Sequence, residues 1–220
     1  MYNITVSEEI KKACPVFKGA AVYAEVTNSA FSQGLWDEIN AFTKELTTTP
    51  PDDIKQQPAI AATREVYKRC GKDPSRYRPS AEALRRRLMR GLELYRIDTL
   101  VDLINLVSLR TGYSIGGFDA DKIQGNNLEL GVGRAEEPFE GIGRGTLNIE
   151  GLPVYRDLTG GIGTPTSDNE RTKMGLETRH ILAIVNGYSG CDGLAEAAGM
   201  IQELLRKYAA SDGGTVHYFD

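Results

Sequence analysis

A polar segment at residues 164–173 groups side chains that could bind or activate a ligand. It combines hydroxyls, carboxylates and two cations, and the Gly-rich run 160–163 precedes it. Such side chains on a Gly-rich backbone can hold a polar ligand or a phosphate. The same residues also suit a turn that caps a helix or strand through Ser167 and Asp168, so both interpretations stay open. The candidate ligand-binding residues here are Ser167, Asp168, Arg171 and Thr172.

Common catalytic motifs are absent from the sequence. Only two histidines occur, His180 and His217, which limits any mechanism centred on an imidazole. A hydrolase that uses Cys191 with His180, or Ser189 in an incomplete nucleophile-elbow motif, stays an alternative. The chain contains no Walker A motif, no dinucleotide-binding glycine motif and no cluster of metal-ligand residues. We therefore expect no cofactor and no metal.

Positive charge is concentrated in residues 64–96. This segment carries 11 lysine and arginine residues against four acidic ones, a charge of +7 in a chain whose net charge is −4. A basic block in an acidic protein is typical of a nucleic-acid contact, because phosphates are neutralised by nearby cations whatever the overall charge. A solvated helix face is the alternative. The candidate RNA-contacting residues are Arg78, Arg85, Arg86 and Arg87.

Hydrophobic periodicity predicts the elements that position these residues. Apolar side chains at three- and four-residue steps predict helices at 32–46, 58–70, from 79 onward, 99–109 and through 194–205. Short apolar or alternating runs predict strands at 2–6, 20–26, 128–133, 146–149, 153–157, 181–185 and 215–219. This order, with helices first and strands in the middle, is typical of an α+β fold.

The predicted helix at 99–109 is apolar on nearly every side, as a buried helix is. Its polar residues Asp102, Asn105 and Ser108 follow one another at three-residue steps. Buried polar groups need partners, so we expect Asp102 and Asn105 to bond backbone groups around the helix or else to face a pocket. Thr99 and Asp102 have the spacing of a capping box.

Composition is that of a globular protein. The chain has 220 residues, of which 40% are hydrophobic and 25% charged, enough for one large core. Its three cysteines lie far apart and fit neither a disulfide framework nor a zinc site. No apolar run reaches the ~18 residues that span a bilayer, and the first residues lack a signal-peptide pattern. We expect a single cytoplasmic domain over residues 1–220, with no membrane association.

Two sequence runs resemble the motifs of a known family. The run RIDTLVDLIN at 96–105, followed by FDADKIQG at 118–125, is similar to the pattern N-x-x-V-D-x-x-N and F-D-x-D-K-[IL]-x-G of the B3/B4 domain. That domain is the editing module of the phenylalanyl-tRNA synthetase beta subunit. Residues 76–84 and 167–173 resemble free-standing members, and Thr178 closes the motif. The resemblance covers about residues 64–185, which we take as the family-like core, with residues 1–60 as an extension integrated with it.

The resemblance implies an α+β domain with a mixed or antiparallel sheet and packed helices. It also implies a pocket in which the ester of a mischarged aminoacyl-tRNA is hydrolysed, with tRNA rather than DNA as the partner. Water would be oriented by residues 167–172, and amides of the Gly-rich turns such as 141–145 would stabilise the oxyanion. Asn105 and Asp119 lie within the motifs and join the candidate ligand-binding residues, although Asp119 also suits capping of the turn before Asp121.

One departure from the family pattern bears on the chemistry. Bacterial synthetases usually have Pro-Leu-His-Ala before the Phe-Asp pair, with the histidine facing the pocket, whereas residues 114–117 of this chain read SIGG. Gly116 cannot replace an imidazole. The resemblance nevertheless implies a free-standing B3/B4-type protein that binds tRNA, with hydrolysis of mischarged aminoacyl-tRNA as its expected chemistry. The alternative is a non-catalytic module that binds an amino acid, a nucleotide or a protein partner.

Overall fold

The computed structural model describes residues 2–46 and 51–220. Its helices are α1 (Glu8–Ala13), α2 (Gln33–Leu46), α3 (Pro58–Arg69), α4 (Ser80–Met89), α5 (Thr99–Thr111) and α6 (Leu194–Tyr208). Its strands are β1 (Asn3–Val6), β2 (Lys18–Glu25), β3 (Ile115–Asp119), β4 (Asn127–Val132), β5 (Glu140–Gly141), β6 (Gly145–Thr146), β7 (Pro153–Arg156), β8 (Gly161–Gly163), β9 (His180–Gly187) and β10 (Thr215–Phe219). None of these helices is both long and apolar enough to cross a bilayer.

The strands of the described residues form two four-stranded sheets and one short hairpin. The first sheet has the order β1-β4-β7-β8, the second has the order β10-β2-β9-β3, and β5 pairs with β6. In the first sheet β1 lies parallel to β4 and the other pairs are antiparallel. The second sheet is antiparallel throughout. The predicted α+β class, with mixed and antiparallel sheets and packed helices, is confirmed.

Strand β9 shows how the layers stack. Ile181, Ala183 and Val185 pack into the core shared with α2, α5 and α6. The alternate residues Leu182 and Ile184 pack into the core shared with the first sheet. Successive side chains of a strand point to opposite faces, so a strand buried on both sides is apolar throughout. The layers therefore run helices, second sheet, first sheet.

Most predicted elements are confirmed within a few residues, and two details are wrong. Of the strand predicted at 146–149, only Thr146 lies in a strand, as the last residue of β6. Helix α5 is capped by Asp98, whose side chain accepts a hydrogen bond from the Val101 amide, rather than by Thr99. The sequence patterns missed α1, β3, β5 and β8. Strands β3 and β8 each contain two glycines, which lower strand propensity, whereas β5 has only two residues and α1 only six.

Helix α5 lies against the second sheet and forms one wall of the cavity described below. Its capping residue Asp98 satisfies one of the free amides at the helix start. Asp102 is buried and accepts hydrogen bonds from Trp36 Nε1 at 2.6 Å and from the Ile97 amide at 3.3 Å. The helix ends at Gly112, whose φ of 80° is in the left-handed region that favours glycine. Asp102 is thus a structural residue of the helical layer.

Glu38 ties the three helices of this layer together. Its carboxylate accepts hydrogen bonds from Arg110 of α5 at 3.0 Å and from Lys207 and Tyr208 of α6 at 2.6 Å each. Burial opposes ionisation of Glu38, and the hydrogen bonds from Lys207, Tyr208 and Arg110 outweigh it, so that its pKa falls to about 2. The network joins α2 and α6 to each other and to the helix that walls the cavity.

We predict that Glu38→Gln lowers the free energy of unfolding by about 1 kcal/mol at pH 7, because losing the charge weakens three hydrogen bonds. The folded pKa lies below the ordinary value of 4.5, so this stabilisation is complete above about pH 5 and declines as the pH falls further. Urea denaturation from pH 7 to pH 3 measures the difference. Glu203→Gln, at an exposed position of α6, is the control. If the wild type exceeded the variant in free energy of unfolding by the same amount at pH 3 as at pH 7, the lowered pKa of Glu38 would be contradicted.

Candidate functional site

A cavity of about 420 Å³ opens between α5, β3 and the loop at residues 164–168. Its apolar wall consists of Ile97, Val101, Ile104, Ile115, Ile142 and Met174. Its polar wall consists of Ser80, Asn105, Ser108, Thr164, Ser167, Asp168 and Lys173, and Gly117 of β3 completes the lining. A broad apolar wall with a few convergent polar groups is typical of a site for a small organic ligand.

Helix α5 contributes a continuous face to this cavity. Val101, Ile104, Asn105 and Ser108 recur at three- and four-residue steps, so they lie on one side of the helix. Asn105 is half-buried, and its side-chain amide bonds to no other residue that the structure describes. A half-buried amide without a protein partner is available to a ligand. Of the three-residue stripe, Asp102 is therefore structural, whereas Asn105 and Ser108 line the cavity.

Asp168 carries the unusual electrostatics of the site. Its Oδ2 accepts a hydrogen bond from the Gly117 amide at 3.0 Å. Burial raises the pKa of the Asp168 carboxyl from its ordinary value of 3.8 to about 7, although the hydrogen bond from Gly117 favours the ionised form. No cation forms an ion pair with Asp168 within the described chain. A carboxyl that titrates near neutrality in a cavity wall is a candidate general acid or base.

Glycines make room for this carboxyl. A Cβ atom at Gly163 would lie 2.6 Å from Asp168 Oδ1 and 2.6 Å from Phe118 Cζ. At Gly116 a Cβ atom would lie 2.7 Å from Phe118 Cζ and 3.6 Å from Asp168 Oδ1. The space that a side chain at 116 would need is thus taken by the Phe118 ring, with Asp168 close beside it. Asp168, rather than a residue at position 116, supplies the titratable group next to β3.

The loop at 164–168 is held rigidly. The Thr164 hydroxyl donates to the Ser167 carbonyl at 3.0 Å and accepts from the Ser167 amide at 3.1 Å. Tyr67 of α3 bonds to the Thr166 hydroxyl at 2.9 Å, and the Ser80 amide at the start of α4 donates to the Pro165 carbonyl at 2.8 Å. These contacts tie the loop to two helices. A pre-organised loop keeps Ser167 and Asp168 in place before any ligand arrives.

Three of the six predicted ligand-binding residues lie in the cavity wall, namely Asn105, Ser167 and Asp168. Arg171 lies outside this lining and forms a bidentate pair with Asp157, at 2.9 and 2.8 Å. Thr172 is buried and bonds to the Ile162 carbonyl. The density of polar residues in the sequence does not distinguish those that face a cavity from those that hold the loop.

The remaining candidate, Asp119, has the structural role that its position suggests. It is buried, and it accepts hydrogen bonds from the Asp121 amide at 3.2 Å and from the Thr178 hydroxyl at 2.9 Å. Lys122 Nζ lies 3.1 Å from its Oδ2. Asp119 thus caps the turn after β3. Asn169, rather than Ser167 or Asp168, caps the other short turn by accepting from the Arg171 amide at 2.9 Å.

Amides of the Gly-rich turn at 141–145 are already engaged. The Ile142 amide donates to the Asp168 carbonyl at 3.0 Å, and the Gly143 amide donates to Glu170 Oε1 at 3.1 Å. The Arg144 amide donates to the Gly141 carbonyl at 2.9 Å. These three amides are therefore satisfied inside the protein. The expectation that they face a reacting oxyanion is wrong, because each has a protein acceptor.

The candidate RNA-contacting arginines separate into different environments. Arg85 is 3% exposed and donates to the Leu109 carbonyl near the end of α5, while its Nε has no protein partner among the described residues. Burial lowers the pKa of the Arg85 guanidinium. A buried side chain cannot reach a nucleic acid, so the assignment of Arg85 to an RNA surface is wrong. Its place next to helix-end carbonyls makes it a structural residue.

The other three candidates differ in how far their charge is compensated. Arg86 donates to Glu82 Oε1 at 2.7 Å, and Glu82 also accepts from Arg64 at 2.7 Å. Arg87 instead donates to the Glu93 carbonyl at 2.6 Å and lies over the Tyr95 ring. Arg78 is exposed just before Ser80 of the cavity wall. Arg78 and Arg87 therefore keep charge that no carboxylate of a described residue neutralises.

Comparison with known proteins assigns this chain to a family. The statistical model of the B3/4 domain matches residues 62–204. The chain belongs to the B3/4 domain family. The match contains the predicted core at 64–185, so the resemblance drawn from the motifs is confirmed. Within the described residues of this B3/4 chain, no group of three or more His, Cys, Asp or Glu side chains is arranged to hold a metal ion.

Fifteen chains of solved structures match this B3/4 chain. One is an N-terminal fragment of the phenylalanyl-tRNA synthetase beta subunit from Pyrococcus horikoshii, with 14% sequence identity and a TM-score of 0.50. The alignment covers 97% of this chain and 50% of that chain, so this chain spans about half the length of the fragment. At this identity the likeness shows the fold alone. No curated protein matches the chain.

We predict that Gly163→Ala lowers the free energy of unfolding by about 1 to 3 kcal/mol, because the new methyl group meets the fully buried Phe118 ring and the Asp168 carboxyl. Gly199→Ala on α6 is the matched control, since a Cβ there has no atom within 4 Å. Alanine in a helix should stabilise the control by roughly 0.5 to 1 kcal/mol. Thermal and urea denaturation measure both. Equal effects of the two substitutions would show that Gly163 has no packing role.

Asp168→Asn should raise the free energy of unfolding by about 1 to 3 kcal/mol at pH 8 and leave it nearly unchanged at pH 4. The folded pKa of about 7 lies above the ordinary 3.8, so the ionised carboxyl costs stability once the pH exceeds both values. Asparagine keeps an acceptor for the Gly117 amide without the charge. Urea denaturation at the two pH values is the measurement, with the exposed Asp37→Asn as control. A destabilised D168N protein at pH 8 would refute the assignment.

Proposed function

We propose that this B3/4 protein binds the aminoacyl end of tRNA in the cavity and hydrolyses its ester bond as a free-standing editing enzyme. The observation that carries the proposal is the Asp168 carboxyl, which has a pKa of about 7 in the wall of a cavity of about 420 Å³. That pKa suits a general base at neutral pH. The cavity volume suits a ligand of amino-acid size. The proposal places the protein in the cytoplasm with its tRNA partner.

The apolar and polar walls of the cavity would contact different parts of the ligand. The side chain of the amino acid would pack against Val101, Ile104 and Met174, since burying apolar surface favours association. The amino group and the ester would face Asn105, Ser108 and the loop at 164–168. Hydroxyl and amide groups at fixed positions orient such a ligand more than they add affinity. Binding of a free amino acid requires only these two walls.

The proposed hydrolysis uses Asp168 as a proton carrier. Ionised Asp168 accepts a proton from a water molecule as the water oxygen attacks the ester carbonyl carbon. The new carbon–oxygen bond gives a tetrahedral intermediate, and its collapse breaks the bond to the ribose oxygen. The proton held by Asp168 passes to that leaving oxygen, which restores the carboxylate. The products are a free amino acid and a tRNA with its terminal hydroxyl.

Asn105 is the proposed donor to the oxyanion. Its side-chain amide is half-buried in the cavity wall without a protein partner, whereas the amides of the Gly-rich turn are occupied. An amide donor aimed at the developing charge typically contributes on the order of 10²- to 10³-fold in rate. Asn105 therefore takes the place of the backbone amides of residues 141–145 in the mechanism that the family resemblance implied.

A second candidate function is the binding of an amino acid or aminoacyl group without hydrolysis. Two observations favour it, namely the occupied amides of the Gly-rich turn and the glycine at position 116. A cavity with both walls intact would still bind its ligand if water were poorly placed. The two functions share the cavity and differ in the role of Asp168.

Deacylation of purified aminoacyl-tRNAs tests the proposal, beginning with tyrosine on the phenylalanine tRNA. We predict that Asp168→Asn slows hydrolysis by about 10²-fold or more and removes a rise in rate through pH 7. Asn105→Ala should reduce the rate on the order of 10²-fold. Asp37→Asn, outside the cavity, should retain wild-type activity. Hydrolysis at the wild-type rate by D168N would overturn the mechanism. Amino-acid binding without hydrolysis of any charged tRNA would select the second candidate.

A further inference from the structure

Arginine and aromatic side chains are stacked along the segment that leads to the cavity. We name Phe31, Arg87, Tyr95 and Arg96 the arginine–aromatic strip. The Arg87 guanidinium lies 3.9 Å from the centroid of the Tyr95 ring, and the Arg96 guanidinium lies 5.6 Å from that of Phe31. Tyr95 is 67% exposed and Phe31 is 43% exposed. Exposed aromatic rings held in place by arginines offer a stacking surface to a partner.

The strip ends at the mouth of the cavity. Ile97, the residue after Arg96, is 56% exposed and also lines the cavity. Its amide donates to the buried Asp102 at 3.3 Å, and Leu94 is 8% exposed. These two anchors fix the backbone on both sides of Tyr95 and Arg96. A ligand on the strip therefore lies next to a ligand in the cavity.

Part of the uncompensated charge of the basic segment lies in this strip and on the neighbouring Arg90, whereas Arg76 and Arg78, outside the strip, also form no ion pair with a carboxylate of the described residues. Arg87, Arg90 and Arg96 form no ion pair with any carboxylate of the described residues, although the charge of Arg96 interacts with that of the buried Asp102. Elsewhere in the segment, Glu82 neutralises Arg64 and Arg86. Glu93 is the exposed acid within the strip's own stretch of chain. The balance is positive, which suits a partner that carries phosphate groups.

We propose that the strip binds the single-stranded 3′ end of an RNA. One base would stack on the open face of Tyr95, whose other face Arg87 covers, and the phosphates would lie near Arg90 and Arg96. Stacking on an aromatic ring flanked by cations is how proteins hold single-stranded nucleic acid without reading its sequence. An apolar protein partner fits less well, because it would leave the guanidinium charges unpaired. The inference rests on the proposed function, in which the terminal nucleotide must reach the cavity.

Fluorescence anisotropy with uncharged tRNA and with a 12-nucleotide single-stranded RNA tests the strip. Tyr95→Ala should raise the Kd for both probes about tenfold or more, and Tyr95→Phe should restore most of the affinity because it keeps the ring. Arg90→Ala should weaken binding and reduce the slope of log K against log salt by about 0.7. Tyr218→Ala, at an exposed position of β10, and Lys12→Ala, at an exposed position of α1, are the matched controls.

The outcomes separate this inference from the proposed function. RNA binding that depends on Tyr95, in a protein that hydrolyses no charged tRNA, would support the strip and contradict the editing activity. Hydrolysis with Kd values that Tyr95→Ala leaves unchanged would overturn the strip and keep the activity. Absence of RNA binding by the wild type would also overturn it. Equally tight binding of a poly-glutamate peptide that competes with RNA would replace RNA with an acidic protein partner.

Discussion

The hydrogen bond from the Gly117 amide to the Asp168 carboxylate joins the open edges of the two sheets. Strand β3 is an edge of the second sheet, β8 is an edge of the first, and Asp168 follows β8 and forms a bridge with Gly163. Free edges of sheets are normally covered, because their unpaired amides attract other chains. Here a side chain provides the cover. The same contact fixes the carboxyl in the cavity wall, so the cavity depends on how the sheets meet.

The sequence predicted many of the helices and strands around the Gly117–Asp168 contact, but it did not predict the contact itself. The apolar residues of α5 predicted the helix correctly. They did not show that, of its polar residues, Asp102 lies in the core whereas Asn105 and Ser108 line the cavity. Residues three apart on an α-helix are separated by about 60° around the axis, so Asp102 turns toward Trp36 while Ser108 turns toward the cavity. Strands β3 and β8 escaped prediction because their glycines weaken the strand signal. Two of these glycines, Gly116 and Gly163, leave the space that the Asp168 carboxyl and the Phe118 ring occupy.

Counting charges along the sequence located the basic segment without showing which cations are free. Glu82 is buried between Arg64 of α3 and Arg86 of α4, so one carboxylate neutralises an arginine on each of two helices. The four-residue step from Glu82 to Arg86 is a signal that sequence reasoning can use, since such pairs face each other on a helix. The burial of Arg85 has no such signal. It depends on the end of α5, which packs against α4 only in the folded chain.

The identity of residue 168 bears on whether the cavity is built only to bind. A purely structural bridge between the sheet edges needs one acceptor for the Gly117 amide, and an asparagine provides that acceptor without a charge. An aspartate there carries the added cost of a desolvated carboxylate, and that cost raises its pKa toward neutrality. Groups of this kind concentrate at sites where a proton is exchanged, because the same burial that destabilises the charge makes the group a better base. The acid at position 168 therefore exceeds what joining the sheets requires, and this excess is the reason that the proposed function gives the proton transfer to Asp168.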